Sequence, residues 1–229
     1  NNTSDTDVFN VAIGHNAGTE ITTGADNTII GGLAGDALTT GSNNVAIGKE
    51  ALSTEDAHGN NVAVGYRALK TQNAGADAFN VAVGKDAGLS VTTGTQNTIV
   101  GGLAGDAITT GVHNTALGYK ALTTEDTGNY SVAIGSGALE VQNYNGSAFN
   151  VAIGYESGNN ITTGIKNTLV GGTAGDALTT GSNNIIIGND SAASAVDVSN
   201  EITLGDANIS AFRCADQSIA ALSDGRDKS

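Results

Sequence analysis

Proline, methionine and tryptophan are absent from the 229 residues, cysteine occurs once, at Cys214, and aromatic residues amount to 4%. A lone cysteine closes no internal disulfide, and no cysteine pair or cluster is there to hold zinc or a redox centre. With no methionine at all, the initiator included, the chain is expected to be an excised or processed piece of a longer protein. No apolar run approaches the roughly 20 residues of a membrane-spanning helix and no signal-peptide pattern is present, so membrane insertion is not expected. Positive charge is scarce: 9 Lys and Arg stand against 23 Asp and Glu, a net charge of -14. That field repels nucleic acid and anionic lipid, which are bound through Lys and Arg neutralising phosphate, so neither is expected as a partner. Large apolar side chains are few as well. Leu, Ile, Val and Phe number 50, little above the fraction, roughly 20%, below which chains stay disordered. Folding must rest on something more regular than a large core.

Glycine is abundant, 33 residues, and it is periodic. A unit of Asn, a β-branched residue, Ala or Ile, an aliphatic and Gly recurs with its glycine at Gly14, Gly31, Gly48 and Gly65, spaced by 17, and then at Gly84 after 19. The same spacing repeats through Gly101, Gly118, Gly135, Gly154, Gly171, Gly188 and Gly205. Four units make a block of 70 residues, so super-repeats lie near 10–79, 80–149 and 150–205. A fixed period of this size marks a solenoid. Each unit is predicted to be a short strand ending at a glycine turn. The residue before the glycine and the one two positions earlier share a face by the period of two, and that pair is expected to point inward. The middle residue, Ala in most units but Ile29, Ile99, Leu169 and Ile186 in others, is expected to face a second chain. Six units continue into an aliphatic followed by Thr-Thr-Gly, as at Ile21 to Gly24, which predicts a second strand on the far side of the coil. The others carry Leu52, Leu69, Leu122 or Leu139 and a polar, irregular return; the two extra residues of the longer units fall near 74–79 and 146–149.

The fold expected from these features is all-β, a parallel β-solenoid or β-roll with rungs of about 17 residues; twelve rungs at about 4.8 Å would make a rod of roughly 55 to 60 Å. Asn stands four residues before the glycine in ten of the twelve units, Ser131 and Glu201 being the exceptions. An in-register asparagine stack can hydrogen-bond from rung to rung through its amides. An apolar second face implies a homo-oligomer.

The units Asn10 to Gly14, Asn44 to Gly48 and Asn150 to Gly154 resemble the repeats of trimeric autotransporter adhesin heads, over about residues 10–205. That resemblance implies a left-handed β-roll, intertwined or packed as a homotrimer, and it is shared by bacterial adhesins and phage fibres. The tail distinguishes them. Ile202 to Gly205, Phe212-Arg213-Cys214 and Ala221 to Lys228 are similar to the junction before the endosialidase-type intramolecular chaperone of phage tail fibres and tailspikes. By that resemblance 206–222 is a connector and 223–229 the start of the chaperone. Ser223 and Asp224 would flank a self-cleaved bond, with Arg226 and Lys228 the basic positions of the motif. A chain running on to Ser229 departs from a fibre cleaved at that junction, which leaves blocked cleavage, truncation or another site. The function implied is a structural and host-recognition segment of a trimeric phage tail fibre or tailspike in the virion, contacting a host surface glycan or protein. The alternative is a bacterial trimeric surface adhesin or secreted filament subunit.

Aligning three near-identical repeat chains at one end would remove slipped registers, a physical reason for such a chaperone. Other chemistry is weaker. Gly31 to Leu38 and its copies partly resemble a calcium-binding nonapeptide, but Ala34 replaces a glycine and the copies are not adjacent; structural turns are expected. His15, His58 and His113 lack ligand spacing, and no metal or other cofactor is expected. Glu55-Asp56 and Glu125-Asp126 are expected to be solvated loop acids, since adjacent carboxylates do not face each other across a sugar. No nucleophile-base pairing is visible, so no turnover enzyme is expected. Tyr66, Tyr119, Tyr130, Tyr144 and Tyr155 are candidate glycan contacts, Phe9, Phe79 and Phe149 candidate plugs in the core or a trimer seam, and Cys214 a small buried apolar residue. Threonine pairs raise ice or crystal-surface binding, but they occupy only the first two rungs of each block and form no continuous array.

Overall fold

The structure, a computed structural model, describes residues 8–211. The tail residues Phe212, Arg213, Cys214, Ser223, Asp224, Arg226 and Lys228 lie outside the described residues. Twelve three-residue strands, β1 (Val11–Ile13), β2 (Thr28–Ile30), β3 (Val45–Ile47), β4 (Val62–Val64), β5 (Val81–Val83), β6 (Thr98–Val100), β7 (Thr115–Leu117), β8 (Val132–Ile134), β9 (Val151–Ile153), β10 (Thr168–Val170), β11 (Ile185–Ile187) and β12 (Ile202–Leu204), form one sheet in chain order. Each pairs with the next in parallel and in register, Ala46 against Ala63 and Ala63 against Ala82 for example. The chain is a parallel β-solenoid with one strand per rung.

Two expectations are corrected by this arrangement. The Thr-Thr-Gly segments are bends and not strands, although they remain stacked: Thr22 N–H donates to the Thr39 carbonyl at 2.9 Å, and Thr39 Oγ1 to that of Asp56 at 2.9 Å. The strand faces are also reversed. From β2 to β11 the middle residue is fully buried, whether Ala46, Ala133 or Ile99, while both flanking residues are half-buried or exposed in every strand. Size explains the reversal. A 17-residue coil has room for one filling row beneath the strand, and that row is shared with side chains from the opposite wall.

Ala46 lies in the same coil as fully buried Leu52, Ala133 in that of Leu139, whereas Ile29 and Ile99 share theirs with Gly35 and Gly105. A Cβ on Gly105 would come 3.4 Å from Ile99 Cδ1 and 2.8 Å from Ile108 Cδ1. Interior volume is thus divided differently between rungs; where both positions are small, as with Ala82 and Gly88 or Ala152 and Gly158, Leu69 and Ile99, or Leu139 and Leu169, of the adjacent rungs reach in. The leucines accept a cost, since Leu52, Leu69, Leu122 and Leu139 hold φ between 47° and 54° where other rungs use glycine. Left-handed backbone costs such residues roughly 1–2 kcal/mol, offset by the roughly 1.5–3 kcal/mol of burying the side chain. The strand glycines have no such latitude: a Cβ on Gly48, at φ 134°, would lie 2.3 Å from the Gly65 carbonyl oxygen.

The expected asparagine ladder is present inside the coil. Asn97 N–H donates to Asn80 Oδ1 at 2.8 Å, Asn97 Nδ2 to the Gly111 carbonyl at 2.9 Å, and Asn114 N–H to Asn97 Oδ1 at 2.9 Å. Such a side chain ties its own rung to the next at strand and far wall together; Asn61 is an exception, its Nδ2 donating to the Gly59 carbonyl at 3.2 Å. At Ser131 the ladder is repaired by Gln142, whose Nε2 donates to Ser131 Oγ at 2.8 Å and whose Oε1 accepts from Asn150 Nδ2 at 2.7 Å.

Candidate functional site

Glu55 and Glu125 are not solvated acids; both are fully buried. Where Leu replaces the wall glycine it fills the interior, and the position that elsewhere carries Ile, Leu or Val becomes Glu or Gln and serves the irregular return. Glu125 accepts from Gly128 N–H at 2.8 Å, Gln142 Nε2 at 2.9 Å and Tyr144 N–H at 3.2 Å. Glu55 Oε1 accepts from the backbone N–H of His58 at 3.2 Å and lies 3.3 Å from its Nδ1, but its Oε2 and the Nε2 of Gln72 have no partner. Burial pushes the Glu55 carboxyl up, against the opposing hydrogen bonds from His58. Ligand atoms of Glu55, Asp56 and His58 fall within 4.8 Å of one another, a grouping the histidine spacing did not suggest. Glu55 nonetheless occupies the place of Glu125, an internal acceptor, and the residue equivalent to His58 is Gly128.

The outer side of the sheet is mostly apolar along the rod, interrupted by Thr28, Thr98, Thr115 and Thr168. Val11, Ile13, Val83, Leu117, Ile153, Ile185, Ile187, Ile202 and Leu204 are all exposed. Beside it runs a second row, five residues before each strand glycine and in left-handed backbone from Asp26 to Asn200. Phe79 (φ 54°) and Phe149 (φ 52°) belong to it, and with Phe9 they are about half or more exposed, so they do not plug the core. Tyr130 stacks in this row between His113 and Phe149, at centroid distances of 5.0 and 5.2 Å.

The five tyrosines do not form one site. Tyr144 is half-buried beside the return segment, Tyr130 belongs to the aromatic row, and Tyr66 lies under Arg67, whose Cζ is 4.7 Å from the ring centroid. Tyr119 and Tyr155, 55% and 59% exposed, are brought together across the intervening rung. They line a cleft of about 260 Å³ with Ser136 and Gly137 between them and Glu140, Glu156 and Lys120 at its sides. Lys120 Nζ is 3.2 Å from Glu140 Oε1 and 5.9 Å from the Tyr119 ring centroid. Hydrogen bonding to Glu156 holds the Tyr155 phenol above its ordinary value, keeping the hydroxyl protonated. Sequence reasoning named the tyrosines but missed their polar neighbours; aligning the blocks at their 70-residue offset would have exposed them. The chain matches no family model, no curated protein and no solved structure.

Proposed function

We propose that this chain is the rod segment of a trimeric extracellular fibre, of the phage tail fibre or tailspike kind, carrying host contacts on its exposed corners. The observation that carries the proposal is the column of aliphatic residues at the last position of all twelve strands, from Ile13 to Leu204, none of them buried; the outward column beside it is Val or Ile in eight strands and Thr in β2, β6, β7 and β10. A cover for that face must repeat every rung rise of about 4.8 Å, and a second copy of the same rod has that repeat. Phe9, Phe79 and Phe149, exposed beside the stripe, fit a seam between copies better than a core. Three-fold assembly, virion location and a host glycan or protein receptor follow from the resemblance of the repeats and of the Ser223 to Lys228 segment. No turnover activity is proposed for the rod.

Expression with the full downstream sequence, beside a Ser223→Ala version, tests the maturation step. Trimers of chains shortened near Ser223, lost in the variant, support the phage-fibre reading. Uncleaved chains in both favour the bacterial adhesin or secreted filament, which shares the rungs and the stripe.

A further inference from the structure

The cleft between Tyr119 and Tyr155 occurs where the second block departs from the first. Its seven lining positions all differ from their counterparts 70 residues earlier, although the strands around them are nearly the same. Lys49, Tyr66 and Lys85 of the first block become Tyr119, Ser136 and Tyr155 of the second, so one tyrosine flanked by lysines becomes two tyrosines flanking a serine. Arg67 becomes Gly137. In the first block the Arg67 side chain lies over Tyr66 and bonds Asp86 Oδ1 at 2.7 Å through Nε. Desolvation opposes ionisation of Asp86, but Arg67 and Lys85 hold its carboxyl below its ordinary value. The second block removes that guanidinium and leaves an open cleft.

We propose that this cleft is a binding subsite for one neutral pyranose ring of a surface polysaccharide. The proposal rests on the fibre reading for the source of the ligand, and on the cleft alone for its chemistry. At 260 Å³ the cleft is below the roughly 300 Å³ at which sites for drug-sized ligands begin, a size suited to a single ring. The tyrosines stand two rungs apart, about 9.6 Å at the strand spacing; a saturated ring between them needs contacts of roughly 4 Å on each side. Aromatic faces take the C–H face of a sugar, while the Glu140 and Glu156 carboxylates accept from its hydroxyls and Lys120 donates to them. A cationic ligand is disfavoured because Lys120 already supplies a cation beside Tyr119 and Glu140. Anionic sugars meet two carboxylates against one lysine on a chain of net charge -14.

Saturation-transfer NMR with the methyl glycosides of glucose, galactose, mannose and N-acetylglucosamine, and with choline as the rival ligand, tests the subsite on the assembled protein. Gly137→Arg restores the first block's residue at a position of similar backbone, φ 69° against 55° at Arg67, so the rung is expected to tolerate it. Transfer to at least one glycoside is expected, lost in Gly137→Arg, weakened about three- to tenfold by Tyr155→Lys, and unchanged by Tyr66→Ala. No glycoside signal, a signal indifferent to Gly137→Arg, or binding of choline alone would overturn the proposal. Light scattering on the same samples separates the two readings: a trimer that binds no sugar removes the subsite alone, whereas a monomer removes the fibre.

Discussion

Replacing Asn97 by Ser should damage the rod more than replacing Asn61 by Ser, although both are fully buried members of one ladder. Asn97→Ser removes the acceptor for Asn114 N–H and the donor to the Gly111 carbonyl, and the residue eleven positions on is Ile108, which cannot replace either. Two buried backbone groups left unpaired cost roughly 1–3 kcal/mol each, so a loss of about 2–6 kcal/mol per chain is expected. Eleven residues after Asn61 stands Gln72, in the place of the Gln142 that repairs the ladder at Ser131. Its Nε2 has no partner in the parent chain, so a serine hydroxyl at position 61 would satisfy it, while Asn80 N–H loses Asn61 Oδ1 and the Gly59 carbonyl loses Asn61 Nδ2, which reaches it at 3.2 Å. Two partners lost against one gained should leave a loss of about 1–2 kcal/mol. Urea unfolding of both variants, with unchanged m-values and one oligomeric state, reads the difference. Equal destabilisation would refute the repair argument.

Other perturbations follow from the reversed faces and the buried acids. Ala133→Ile should cost about 1–3 kcal/mol by overpacking against Leu139, and adding Leu139→Gly should recover much of it, because Ile99 with Gly105 already shows that division of volume; thermal unfolding that worsens further in the double variant would contradict this. Outward Leu117→Lys should leave the far-ultraviolet spectrum unchanged and weaken association in sedimentation, while an unfolded chain would argue that the residue faces the core. For Glu55, whose carboxyl is raised above 4.5 by burial, ionisation is opposed in the folded chain, so its contribution worsens as pH rises through the carboxylate range. Glu55→Gln should therefore raise the melting temperature at pH 7 and change it little at pH 4.5, and a gain independent of pH would contradict the assignment. Glu125→Gln should destabilise, by roughly 1.5–3 kcal/mol, since it sets an amide against Gln142 Nε2.

Much of the fold was legible because the glycines recur with a fixed period and the asparagines stand at a fixed distance from them. Facing was not legible from alternation, since Val45 and Ile47 are larger than Ala46 and yet lie outside. Telling the faces apart requires knowing that Leu52 reaches in from the opposite wall, a partnership across the coil that no strand pattern records. The Thr-Thr-Gly segments looked like strands because an aliphatic such as Ile21 or Leu38 leads into each; those residues are buried, but as single inward residues between bends. Glu55 and Glu125 looked solvated because each is the first of two adjacent acids in a polar return; their burial follows from a Leu three residues earlier, not from anything local to the acid. Tyr119 and Tyr155 were visible as exposed aromatics, whereas their meeting across Ser136 depends on rung stacking.

The central claim is that the outer face of the sheet is covered by further copies of this chain. Multi-angle light scattering of the protein across a hundredfold dilution tests it most directly. The account predicts a mass of three chains that persists on dilution and falls when Leu117 and Ile153 are both replaced by Lys. A folded, monodisperse species of one chain mass, with its apolar stripe open to water, would contradict it.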